Sequence, residues 1–412
     1  MSNEIKDTQN SQQTVDHESL SQPQDPPIKS LAAIIAGVFI VFLVMGILMP
    51  VLPLYVNQGL GFGAFMVGIV EGSRFACSLL SRLWSGDYTD REGAKKAFLL
   101  GIGATLLAGL FYLGSYYIPN PNASIAILLL GRALLGIAES LVTMGALIWG
   151  LSLAGSAYAG RIMAWVGTAM YAAYAIGAPI GTTLYGSYGF EIIALASILI
   201  PLVALPFVIF VRPVAPKRDQ ERPPFKEVAE AVWVPGSGLA LSAVGFGAIT
   251  TFIALVFSRN GWNSVWIAFT AVSTTFIAGR ILLGNLPDRI GGAKVAVIFA
   301  IIEAAGQAMI WLAPTPLMVF LGAGLTGLGY SLVYPALGLE AFHRATQQSR
   351  GIAMGAYTAF LDLSLGLANP ALGLVANHAG LDSVFLVSTI LVLGAAVISL
   401  RILKSKDTKQ KV

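Results

Sequence analysis

The string GDYTDREGAKK, Gly86 to Lys96, recurs in altered form as GNLPDRIGGAK, Gly284 to Lys294. Both read G-x-x-x-D-R-x-G, with a lysine two or three residues further on and an arginine, Arg82 or Arg280, four residues before the first glycine. The offset is 284 − 86 = 198 residues, close to half of the 412-residue chain. Each copy stands between apolar stretches long enough to cross a bilayer. A motif repeated at that distance in that setting predicts two homologous halves of an α-helical membrane protein.

Composition agrees with this reading. Hydrophobic residues make up 56% of the chain, charged residues 11%, and mean hydropathy is +0.75. A water-soluble domain has nowhere to bury that much apolar surface. The 45 glycines and 20 prolines suit close helix packing and interrupted helices in lipid. The single cysteine, Cys77, leaves no internal disulfide and reads as a small apolar residue on a span.

Apolar runs of about 20 residues fall near 30–56, 62–84, 96–118, 124–150, 161–186 and 189–211, and again near 235–257, 263–286, 294–313, 316–341, 351–376 and 383–403. The fold class is therefore an all-α membrane protein of twelve transmembrane helices, six in each half. The expected organisation is a polar, disordered cytoplasmic tail over 1–29 with no cleavable signal, and an amino-terminal bundle over 30–211. A Pro-rich, charged cytoplasmic linker follows over 212–234, then a carboxy-terminal bundle over 235–403 and a basic cytoplasmic tail over 404–412. Of the 25 Lys and Arg residues, 22 lie in the tails, the linker, or loops and helix ends on the tail side, which predicts cytoplasmic termini. The net charge of +4 is then an orientation signal and a contact with anionic membrane lipid, and no nucleic-acid partner is needed to explain it. The halves match again at Pro179 and Pro370, each followed ten residues later by a glycine, Gly189 or Gly380.

The first signature string resembles the loop between helices two and three of the major facilitator superfamily, and the second resembles its weaker echo between helices eight and nine. The resemblance covers all twelve spans and implies two pseudo-symmetric six-helix bundles in a bacterial cytoplasmic (inner) membrane. It implies a monomeric secondary transporter working by alternating access, similar to drug and sugar efflux members. Proton-coupled efflux of a small organic compound leads. Proton-coupled uptake of a small metabolite, or a non-transporting sensor on the same fold, are the alternatives. The resemblance further implies that Gly86, Asp90, Arg91 and Gly93 form a gating latch at the cytoplasmic mouth, with Gly284, Asp288, Arg289 and Gly291 as its counterpart. The fifth helix departs from the antiporter pattern of an adjacent Gly-Pro pair followed by a double glycine. Here Ala178 separates Gly177 from Pro179 and only Gly181 follows, so direction stays open.

A charge at the bilayer centre costs at least about 2.5 kcal/mol, which makes buried charges functional candidates. Those in spans are Glu71 and Arg74, Arg132 and Glu139, Glu303, and Asp362. Glu71 and Arg74, at i and i+3, are placed to pair along one helix. Arg132 and Glu139 lie seven apart, about 10.5 Å along the axis, too far to bond, so each requires another helix or the substrate, Glu71 being one candidate for Arg132. Arg132 and Gly136 resemble the family's cavity-facing fourth-helix motif, which is associated with proton coupling; the other reading is a charge network that locks the bundle. Asp362, with no base on its own half deeper than Arg280, is the first choice for a proton carrier, against a neutral Asp bonded to a neighbouring helix. Glu303, with Gln307 one turn on, reads as structural. Tyr171, Tyr174, Tyr330 and Tyr334 are candidate cavity residues or packing. Two intramembrane arginines favour an anionic or zwitterionic substrate, because guanidinium grips carboxylate bidentately.

Enzyme chemistry finds no support. The histidines, His17, His343 and His378, lack the i, i+4 arrangement of a zinc protease, no Gly-Lys pair marks a phosphate-binding loop, and no G-x-S-x-G elbow occurs. No cofactor or metal is expected. The partners expected are a small-molecule substrate, protons and lipid.

Overall fold

A computed structural model describes residues 28–155, 158–215, 225–346 and 349–410. The amino-terminal half comprises α1 (Ile28–Leu54), prolonged by a π-helical turn over Tyr55–Gly59, then α2 (Ala64–Glu92), α3 (Ala94–Tyr117), α4 (Pro121–Ala154) and α5 (Ala159–Ile209). The other half comprises α6 (Phe225–Arg259), α7 (Trp266–Leu283), the short α8 (Leu286–Ile290), α9 (Gly292–Trp311), α10 (Pro316–Arg344), α11 (Arg350–Ala379) and α12 (Leu381–Gln410).

Eleven of these helices are long and apolar enough to cross a membrane. α5 has 51 residues; straight, it would measure about 75 Å, more than twice a hydrocarbon core of about 30 Å. It bends at Gly189, where φ is 75° and ψ −164°, and so provides the fifth and sixth crossings, completing the twelve. α6 is then the seventh span and α7 the eighth. Most of the expected 1–29 tail, and residues 216–224 of the expected linker, lie outside the described residues. α6 already begins at Phe225, inside the expected linker, because the segment to Val234 holds no Gly or Pro and carries a Lys226–Glu230 pair one turn apart. α12 likewise continues past residue 404 to Gln410.

Each half packs on itself, α1 with α5 and α3 with α4 in one, α9 with α10 and α12 in the other. The halves meet where α2 packs on α11, α5 on α7 and α1 on α6. Small residues let the α2–α11 backbones approach: a Cβ added to Gly72 would lie 2.9 Å from the Gly366 carbonyl oxygen.

Candidate functional site

The four charges of the amino-terminal half are brought together between α2 and α4. Arg132 donates from Nη2 to Glu71 Oε2 at 2.6 Å and from Nε to the Val70 carbonyl at 3.1 Å. Arg74 pairs with Glu139 and packs its guanidinium over the Phe75 ring, 4.1 Å from the centroid. Glu71, Arg74 and Arg132 are buried. The pairing of Glu71 with Arg74 expected from their spacing does not form; both side chains cross to α4 instead. The cause is the close approach of the two helices at Gly136, where a Cβ would run into the Arg74 carbonyl oxygen. At that separation the interhelical bonds are within reach and satisfy both charges of α4 as well.

Asp362 also has a partner the sequence did not suggest. Arg82, near the end of α2 in the opposite half, pairs with the Asp362 carboxylate through Nη2, while its Nη1 donates to Thr358 Oγ1 at 3.1 Å. The expectation of a carboxylate without a base is corrected: the base comes from across the α2–α11 seam, 280 residues away in sequence. Ser78 of α2 adds a longer bond of 3.4 Å to the same carboxylate. One ion pair, with its carboxylate buried and its guanidinium partly so, therefore ties the two halves together.

The signature loops sit at the linker face. Gly93 and Gly291, the last glycines of the two copies, have φ of 96° and 94° and serve as the joints between α2 and α3 and between α8 and α9. Only glycine adopts that conformation without strain. Arg91 pairs with Asp87 one turn earlier at 3.0 Å, and Lys95 donates to the Ile209 and Val211 carbonyls at the end of α5. Asp90 borders a small cleft shared with Ile148 and Ser152 of α4 and Val214 beyond α5. In the second copy the buried Glu340 of α10 accepts the Ala293 backbone N–H at 3.0 Å, at the start of α9. Glu340 escaped the sequence reading because it stands at the rim of its span.

In the carboxy-terminal half, Glu303 is fully buried and accepts from Ser242 Oγ at 2.5 Å. Gln307, expected as its partner, donates instead to the Gly245 carbonyl (3.0 Å) and Thr326 Oγ1 (3.1 Å), because α9 faces both α6 and α10 there. Tyr171, Tyr174 and Tyr330 join Phe246 and Phe276 in one aromatic cluster across the interface of the halves, while Tyr334 packs on Tyr357. Tyr171 of α5 stacks on Phe276 of α7 with centroids 3.6 Å apart, and Tyr330 of α10 stacks on Phe246 of α6 at 5.5 Å. Among the described residues no group of three or more His, Cys, Asp or Glu side chains is arranged to hold a metal ion.

Twelve crossings in two bundles, with buried ion pairs inside and between them, is an architecture of secondary transporters. Comparison with known proteins agrees. The family model described as Major Facilitator Superfamily matches residues 34–284 and 237–412. The uncharacterized MFS-type transporter STM4428 of Salmonella typhimurium is 39% identical over 373 residues, covering 90% of this chain and 96% of that protein. The uncharacterized MFS-type transporter YhhS of Escherichia coli is 38% identical over 375 residues, covering 91% and 92%. Among solved structures, that of a D-xylose–proton symporter superposes with a TM-score of 0.74 at 13% identity, covering 90% of this chain and 96% of that one, a likeness of fold. With its duplicated signature, its two bundles and these relatives in agreement, the chain belongs to the major facilitator superfamily and is a multi-pass secondary transporter.

Proposed function

We propose that this transporter exports a small organic compound from the bacterial cytoplasm in exchange for protons, as a monomer in the inner membrane with both termini cytoplasmic. The observation that carries the reading is the Arg82–Asp362 pair, a buried carboxylate that joins the halves. Protonation of Asp362 would discharge the acceptor, release Arg82 and loosen the α2–α11 seam, so that proton binding and the relative motion of the halves become one event. Glu71, Arg74, Arg132 and Glu139 form the neutralised floor of the amino-terminal side of this pathway. The signature loops, with Asp90 and Arg91 in one and Asp288 and Arg289 in the other, gate the cytoplasmic mouth through the joints at Gly93 and Gly291, with Gly284 closing α7 and Gly86 giving α2 an unencumbered turn ahead of its joint.

The test uses proteoliposomes, with compounds first selected by comparing intracellular metabolites in deletion and overexpressing strains. A pH gradient should drive flux in the parent, and Asp362→Asn should abolish that flux while substrate binding persists. In inside-out vesicles an acid interior should accumulate the compound if exchange operates, and should not if proton and compound move together. Undiminished pH-driven flux in Asp362→Asn would remove Asp362 from the mechanism.

A further inference from the structure

The arginines of the two signature repeats occupy equivalent places with unequal partners. Arg82 and Arg280 both stand four residues before the first glycine of their motif. The helices they face, α11 and α5, are related by the proline register 370 − 179 = 191, which sets Thr358 opposite Gly167 and Asp362 opposite Tyr171. The contacts obey this relation. Arg82 Nη1 reaches Thr358, whereas a Cβ added to Gly167 would lie 3.1 Å from Arg280 Nη1. Where Arg82 finds the carboxylate of Asp362, the same register gives Arg280 Tyr171, whose ring is laid flat against Phe276, the ring that the Arg280 guanidinium also faces.

Arg280 is thereby left without the acid its twin possesses. Among the described residues no carboxylate lies within 4.0 Å of it, while Arg74, Arg82 and Arg132 each have one. Its Nε makes a long bond of 3.5 Å to the Ser331 carbonyl, and its guanidinium lies 5.0 Å from the Phe276 ring centroid and 5.3 Å from that of Tyr334. A half-buried guanidinium held between aromatic faces, with its forked end directed across the interface at a glycine, suits a planar oxyanion.

We propose that Arg280 is the anion-binding residue of this transporter, and that its substrates are organic carboxylates with an apolar or aromatic body. The substrate carboxylate occupies the place that Asp362 fills beside Arg82, and Phe276, Tyr334 and Tyr171 receive the body. This assigns to Arg280 the role that the pairing of Arg132 with Glu71 denies to Arg132. It rests on the reading of the chain as a carrier of small organic compounds. It depends neither on proton coupling nor on direction.

The experiment measures equilibrium binding to the purified full-length protein in detergent, using benzoate, salicylate and 1-naphthoate, each against its uncharged amide. The parent should prefer at least one carboxylate over its amide by about tenfold or more. Arg280→Gln should bring the two within about twofold, and Arg280→Lys should fall between, since lysine keeps the charge without the fork. Tyr171→Asp supplies the missing carboxylate to Arg280 from within and should erase the preference with the protein stably folded. A parent with no preference for any carboxylate would overturn the proposal, as would an Arg280→Gln variant that keeps it. Should Arg280→Gln fail to insert, Tyr171→Asp decides, and a retained preference there rejects the site. Because binding is read without a pH gradient, this outcome is separable from the Asp362→Asn flux measurement.

Discussion

Arg132 shows how a single contact changes what a residue is free to do. An intramembrane guanidinium must be compensated, by another helix or by the substrate, and Glu71 with the Val70 carbonyl compensates this one fully enough that it has little left to offer a ligand. The cost of breaking such a pair lies mostly in the charge left behind. Glu71→Gln should therefore destabilise the protein by about 3–5 kcal/mol, whereas the double variant Glu71→Gln/Arg132→Gln should recover most of the loss, because both members are then neutral. Unfolding of the purified variants in mixed detergent micelles measures this directly, and equal losses in the single and double variants would count against compensation as the reason for the pair. The candidate charges themselves were legible in the sequence, since ionisable residues in apolar runs stand out. Their partners were legible only in part: Glu71 was a candidate for Arg132 and is its partner, whereas Arg82 stood out only for its place before the signature and Asp362 as an isolated acid, and only the packing of α2 on α11 brings them together.

Among the helices, the repeated glycines mark the joints. Gly93 and Gly291 take φ near 95° between successive helices, and Gly189 and Gly380 take φ of 75° and 88° at the end of the proline-containing fifth and eleventh spans. The duplicated spacing thus records backbone requirements of two homologous units, which is why span number and the division into halves could be read from sequence. The glycines of one motif are not equivalent, however. An added Cβ at Gly86 meets nothing within 4 Å, inside a continuous helix, whereas Gly93 sits where side chains are strained. Gly93→Ala should cost about 1–3 kcal/mol, and Gly86→Ala should be neutral or stabilising by up to about 1 kcal/mol. Thermal unfolding of the two variants separates a joint from a spacer, and matching losses would reject the distinction. What the motif could not reveal was the start of α6, because a segment rich in helix formers next to a charged, proline-rich run carries no mark of where the helix begins.

The whole molecule is held at more than one level of the interface between its halves. Arg82 and Asp362 tie α2 to α11 toward the linker face, the aromatic cluster of Tyr171 and Phe276 lies between α5 and α7, and on the opposite face Gln58, at the end of the first span, donates to Ser258 at the end of α6. Alternating access requires that contacts on one face open while those on the other persist. If the Gln58–Ser258 contact belongs to the closed state of its face, holding it permanently should stop the cycle without disturbing either bundle. Gln58→Cys/Ser258→Cys in a Cys77→Ala background, treated with a short reducible bis-thiol reagent, should therefore lose transport and regain it on reduction. Each single-cysteine variant should be unaffected by the same treatment. Substrate should still bind the cross-linked protein from the linker face, because that mouth remains free to open, and binding and flux would then part company in one preparation. Transport that continued at the parent rate with the cross-link complete would mean that this contact does not open during turnover.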